Sequence, residues 1–85
     1  MPKYEITVLP SAQKEITKLP KQVQSKILKA LVSLSENPRP NGCKKLVGID
    51  SWRFRIGEYR IVYSITDNIL TIEIIRVAHR KDAYR

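Results

Sequence analysis

Two runs of alternating residues, only two positions apart, limit what this chain can fold into. Trp52, Phe54 and Ile56 alternate with Arg53 and Arg55, and Tyr59, Ile61, Tyr63 and Ile65 alternate with Arg60, Val62 and Ser64. A period of two marks a strand with one buried and one solvated face. Gly57 and Glu58 lie between the runs. Glycine followed by any residue suits a two-residue type II′ turn, because glycine takes positive φ without a steric penalty. The turn length sets the register: Ile56 opposite Tyr59, Arg55 opposite Arg60, and Arg53 opposite Val62.

The remaining segments fit around that hairpin. Tyr4, Ile6 and Val8 alternate with Lys3, Glu5 and Thr7, which predicts a half-buried N-terminal strand. Pro10 and Ser11 open a helix, proline suiting the first turn and serine the cap, and Ala12, Ile16 and Leu19 follow at helical spacing. Pro20 interrupts because it lacks an amide proton. A second helix starts near Lys21, with Val23, Ile27, Leu28, Leu31 and Leu34 as its apolar stripe, so the two helices form a hairpin. Residues 37–42 are a loop of turn formers, and Asp67-Asn68 is a second turn. Ile69 to Val77 is apolar on both faces, as expected of a covered central strand. The expected fold is α+β: an N-terminal strand, a helical hairpin, then a three-stranded antiparallel meander. The helices should pack on one sheet face and leave the other concave and basic. At 85 residues, a single domain spanning 1–85 is expected.

Charge narrows the function classes. Sixteen Lys and Arg face eight Asp and Glu, for a net charge of +8. Such an imbalance costs self-repulsion in the compact state and points to a polyanionic partner, with nucleic acid first. No apolar run approaches the roughly 20 residues that span a bilayer, and the first ten residues do not read as a signal peptide. The single Cys43 cannot form an internal disulfide. The expectation is a cytoplasmic protein without a membrane partner.

Candidate chemistry gathers at the hairpin and the tail. Arg55 and Arg60, directly opposed on the solvated face, either grip an anion between two guanidinium forks or splay apart into water. His79 is the only histidine, and its unperturbed pKa lies near neutrality. Tyr84 has three readings: packing on the core, stacking on a base, or donating a proton. One His, one Cys and scattered carboxylates give no metal-ligand spacing, so neither a metal nor another cofactor is expected.

Leu46-Val47-Gly48, the string W-R-x-R-x-G-x-Y-R-I-V-Y over residues 52–63, the segment from Ile72 to Arg80 and Tyr84 resemble the RelE/ParE superfamily of bacterial and archaeal toxins. The resemblance spans nearly the whole chain and implies a helical hairpin on a small antiparallel sheet. The RelE branch implies a ribosome-dependent endoribonuclease that cuts messenger RNA. It also implies a cognate antitoxin, through which the pair binds operator DNA. The ParE branch implies a poison of DNA gyrase without that site. Arg53, Arg55, Arg60, Arg80 and Tyr84 fall where the RelE branch keeps its site residues. Lysines are typical there at positions 53 and 55, and an arginine stays charged and makes a poor base. The resemblance therefore casts Arg55 and Arg60, assisted by Arg80, as phosphate clamps and His79 as the proton shuttle, with Glu58 the weaker candidate. Tyr84 stacks or orients, and Lys44, Lys45 and Arg53 hold RNA. A ParE-like gyrase inhibitor and a catalytically decayed nucleic-acid-binding homologue are the alternatives.

Overall fold

A computed structural model describes residues 3–46 and 51–79. Val47 and Gly48 of the family motif, and the expected site residues Arg80 and Tyr84, lie outside the described residues. Five strands and two helices follow in the order β1 (Glu5–Val8), α1 (Pro10–Thr17), α2 (Lys21–Glu36), β2 (Lys44–Lys45), β3 (Trp52–Ile56), β4 (Tyr59–Thr66) and β5 (Thr71–His79). The sheet runs β1-β5-β4-β3-β2. β1 lies parallel to β5, and every other pair is antiparallel. The helices and sheet form the expected α+β fold, with one strand more than the sequence reading: Lys44 and Lys45 add a short edge to β3.

The two prolines set the helix starts. Pro10 takes the first position of α1, where the missing amide costs nothing, and Pro20 stands just before α2 with φ −56°. Ser11 is not the cap of α1. Leu9 occupies that position, and the Ser11 hydroxyl donates to the Ile75 carbonyl at 3.3 Å. Ala12 of α1 and Ile27, Leu31 and Leu34 of α2 bury against Ile61 and Tyr63 of β4 and Ile72, Ile74 and Val77 of β5. Leu28 departs from the expected stripe. It is 55% exposed, since the buried arc of α2 passes through Ile27, Leu31 and Leu34 and leaves Leu28 and Val32 outside.

The last strand also departs from expectation. Ile69 and Leu70 are not in it. Reversing the chain takes a 3₁₀ turn over Asp67–Ile69 and then Leu70 with φ +49°, and both apolar residues are exposed. Nor is the strand apolar on two faces. Val62 pairs with Arg76 while the next residue, Tyr63, pairs with Ile74, so Ile75 is an extra residue in a bulge. A bulge shifts the side-chain alternation by one. Ile72 and Ile74 face the helices before it, and Val77 does so after it.

A polar clamp closes the opposite end of the sheet. The Tyr4 hydroxyl donates to Asp67 Oδ1 at 2.7 Å, and Arg39 donates to both oxygens of Asp67 at 3.3 and 3.0 Å. The Arg39 guanidinium also lies 5.1 Å from the Trp52 ring centre. The Tyr63 hydroxyl donates to the Pro38 carbonyl at 2.7 Å, and burial pushes its pKa up. Arg39, and then Tyr4, hold the Asp67 carboxyl below its usual range. A carboxyl with a lowered folded-state pKa stabilises fully above its unfolded value and loses that contribution as pH falls through the folded value. Asp67→Asn should therefore lower the melting temperature at neutral pH, and the gap from wild type should close as pH is taken below the carboxylate range. Thermal scans across that range decide it, and a pH-independent gap would rule out Asp67 ionisation as its source.

Candidate functional site

The hairpin register is the one the turn length dictates. Ile56 pairs with Tyr59, Arg55 with Arg60, Phe54 with Ile61, and Arg53 with Val62. Gly57 has φ +58°, and Glu58 is not among the residues of positive φ, which fits type II′ and not type I′. Trp52, Phe54, Ile56 and Tyr59 pack against the helix-covered core. Arg53, Arg55 and Arg60 consequently share the opposite face. Lys44 pairs with Arg53 and joins them, whereas Lys45 pairs with Trp52 and falls on the other face.

Arg55, Gly57, Glu58, Tyr59 and Arg60 line a small cleft of about 40 Å³ at the hairpin tip. Arg55 is exposed and Arg60 half-buried. Across from Arg60 on β5 stands Ala78, a small side chain that leaves the guanidinium room. Two forks from adjacent strands thus converge on one cleft with planar, permanently charged donors suited to phosphate oxygens.

His79 enters from a different direction. It pairs with Tyr59 and so sits on the helix side of the sheet, its ring edge-on to the Tyr59 ring at 5.2 Å. Its Nε2–H donates to Glu58 Oε2 at 3.3 Å. Glu58 therefore links the two faces, lining the arginine cleft and holding the histidine. An ionised carboxylate only accepts, so this contact places a proton on Nε2. Tyr59, Arg76, Val77, Ala78 and His79, with Glu15 of α1 and Lys18 and Leu19 just after it, also line an open depression of about 480 Å³. Among the described residues, no three His, Cys, Asp or Glu side chains are placed to hold a metal ion, and no helix is long and apolar enough to cross a membrane.

Sequence reasoning assigned no role to Arg76. The bulge turns it onto the same face as Arg53 and Arg60, opposite Val62. Strict alternation from Ile72 and Ile74 would have buried it, and only the doubled apolar pair Ile74-Ile75 hints otherwise.

Known proteins share this fold. Residues 6–84 match the family described as the ParE toxin of the type II toxin–antitoxin system parDE. The chain belongs to the RelE/ParE superfamily of type II toxins. Toxin RelG of Mycobacterium tuberculosis is 33% identical over 86 aligned residues, covering 96% of this chain and 97% of RelG. The toxin in the RelBE2 toxin–antitoxin complex of the same organism superposes with a TM-score of 0.82 at 30% identity, covering 92% of this chain and 99% of that one. The intact E. coli RelBE toxin–antitoxin complex gives a TM-score of 0.78 at 30% identity, over 89% of this chain and 95% of its counterpart.

In this toxin Gly57 carries the cleft, because the turn sets which arginines face each other. A Cβ at Gly57 would meet nothing within 4 Å, so the penalty of Gly57→Ala is conformational, not steric. Forcing an alanine to positive φ costs about 1 to 2 kcal/mol. Denaturant unfolding should show a loss of that size, and an unchanged midpoint would mean the turn relaxes without strain.

Proposed function

We propose that this toxin is a ribosome-dependent endoribonuclease that cuts messenger RNA without a metal. The observation that carries the reading is the direct pairing of Arg55 with Arg60 across the hairpin, both lining one cleft. In the reaction, the ribose 2′-oxygen attacks the adjacent phosphorus as its proton is removed. The bond from phosphorus to the 5′-oxygen breaks, the leaving oxygen takes up a proton, and a 2′,3′-cyclic phosphate remains. Negative charge builds on the non-bridging oxygens, where fixed cationic donors stabilise the transition state more than the ground state. Arg55 and Arg60 serve there, with Arg80 assisting.

Arginine cannot take up the proton, so that task passes to His79, oriented through Nε2 by Glu58. Lys44, Lys45 and Arg53 hold RNA, and Tyr84 stacks on a base or orients the substrate. The ribosome supplies the in-line geometry, and positioning of that kind removes much of a barrier. This reading treats residues 1–85 as one domain working in the cytoplasm. A cognate antitoxin neutralises the toxin, as the toxin–antitoxin complexes of its structural relatives suggest. The pair binds operator DNA through the antitoxin.

Gyrase poisoning is the second reading, and the ParE description of the matching family favours it. Induction of wild type beside Arg60→Ala, with message ends mapped by primer extension, separates the two. Cuts within translated codons should appear with wild type and fall on the order of 10²-fold with the variant, as for loss of one oxyanion donor. Growth arrest with intact messages and inhibited supercoiling would select gyrase. Absence of arrest would mark a decayed homologue.

A further inference from the structure

We infer that Arg76 is an additional RNA-backbone contact, one that extends the basic face from the hairpin onto β5. The inference rests on the ribonuclease reading and adds a residue to it. Lys44 pairs with Arg53, Arg53 with Val62, and Val62 with Arg76, so the four positions form one row across β2, β3, β4 and β5 on the face away from the helices, with the Arg76 guanidinium turned at the sheet edge toward Glu15 of α1. Neighbouring strands lie roughly 4.8 Å apart, so the row spans about 14 Å, longer than one phosphate group. Arg55 and Arg60 occupy the next outward-facing row toward the hairpin tip, where Arg60 pairs with Ala78.

The bulge makes this placement. If β5 kept all its residues but alternated strictly, Arg76 would follow Ile72 and Ile74 into the core and Val77 would face solvent. The side chain is then held in place. Glu15 of α1 accepts the Val77 backbone N–H through Oε1 at 2.8 Å and the Arg76 Nε–H through Oε2 at 3.2 Å. Glu15 is anchored by the backbone bond and its side chain is 30% exposed, against 53% for Arg76. The arginine is therefore the more exposed partner. Only Nε engages the carboxylate, which leaves Nη1 and Nη2 as donors for a phosphate. An exposed ion pair of this kind contributes little to folding, so redirecting the guanidinium toward RNA disturbs the protein little.

The test is fluorescence anisotropy of a fluorescein-labelled oligouridylate titrated with wild type, Arg76→Gln, Arg76→Lys and Arg60→Ala over a range of salt. Each phosphate contact on a single strand contributes about 0.7 to the slope of log affinity against log salt. Arg76→Gln should bind several-fold more weakly at low salt with a slope flatter by about one contact, at an unchanged melting temperature. Arg76→Lys should keep the wild-type slope. If Arg76→Gln keeps wild-type affinity and slope while Arg60→Ala loses both, the inference fails and the ribonuclease reading stands. A wild-type protein that binds no RNA at any salt overturns that reading and the inference together.

Discussion

Both edges of β5 are held, but by different partners at its two ends, and the rest of the molecule follows from that. Over Thr71–Ile74 the outer edge pairs in parallel with β1. The Leu9 N–H bonds the Ile74 carbonyl at 3.0 Å, and there strand pairing stops. Pro10 has no amide proton to continue the ladder and starts α1 instead. The helix then covers the exposed edge with side chains. Ser11 takes the Ile75 carbonyl and Glu15 the Val77 N–H. An open edge is a template for unwanted pairing, and a side-chain cap tolerates an irregular strand where a regular ladder would not. That is where the bulge sits. One residue, Ile75, therefore lets the first half of β5 lock into the core while the second half presents its charged residue to the opposite face.

The hairpin carries the converse problem, because its regularity forces two cations together. Arg55 and Arg60 cannot slip apart in register without exposing Phe54, Ile56 and Tyr59, since a one-residue shift exchanges the two faces. Burial of the aromatic and aliphatic face thus enforces the electrostatically unfavourable one. Hydrophobic burial contributes about 1.5 to 3 kcal/mol for each large side chain, whereas opposed exposed charges cost only about 0.2 to 1 kcal/mol, so burial wins. In the proposed reaction this is an advantage. Donors fixed before substrate arrives need little reorganisation when charge develops.

Most of the architecture was legible because it depends on local periodicity and punctuation. The Trp52–Ile56 and Tyr59–Ile65 alternation, Gly57 at the turn and the prolines before each helix each act over a few residues. Three features were not legible. Lys44 and Lys45 become a strand only because β3 offers an edge, and two residues carry no period. Leu28 belongs to the sequence stripe but not to the buried arc, which the partner sheet defines. Ile69 and Leu70 look like strand, yet they are consumed in reversing the chain. Of the candidate site, the opposition of Arg55 and Arg60 was read from turn length alone. The placement of His79 against Glu58, of Lys45 away from Lys44, and of Arg76 beside Val62 depends on cross-strand register and a bulge that the sequence does not mark.

Superfamily membership settles the scaffold, but the chemistry lies in the side chains placed on it. The fold alone says nothing about RNA or gyrase. Here the outer-facing positions of the sheet carry Lys44, Arg53, Arg55, Arg60 and Arg76. Lysines at the hairpin positions would combine charge with proton transfer, because a lysine in a cationic site can lose its proton. Arginines separate the two functions. They fix the charge permanently and leave proton movement to groups that titrate. In the proposed reaction Glu58 is the residue that connects such a group to the cleft. It stands at the turn, where one side chain can line the arginine cleft and still accept the His79 Nε2–H across the sheet end. In the proposed reaction, a cleft built from arginines therefore places the burden of proton transfer on the turn and on the end of β5, not on the strands that would bind the phosphate.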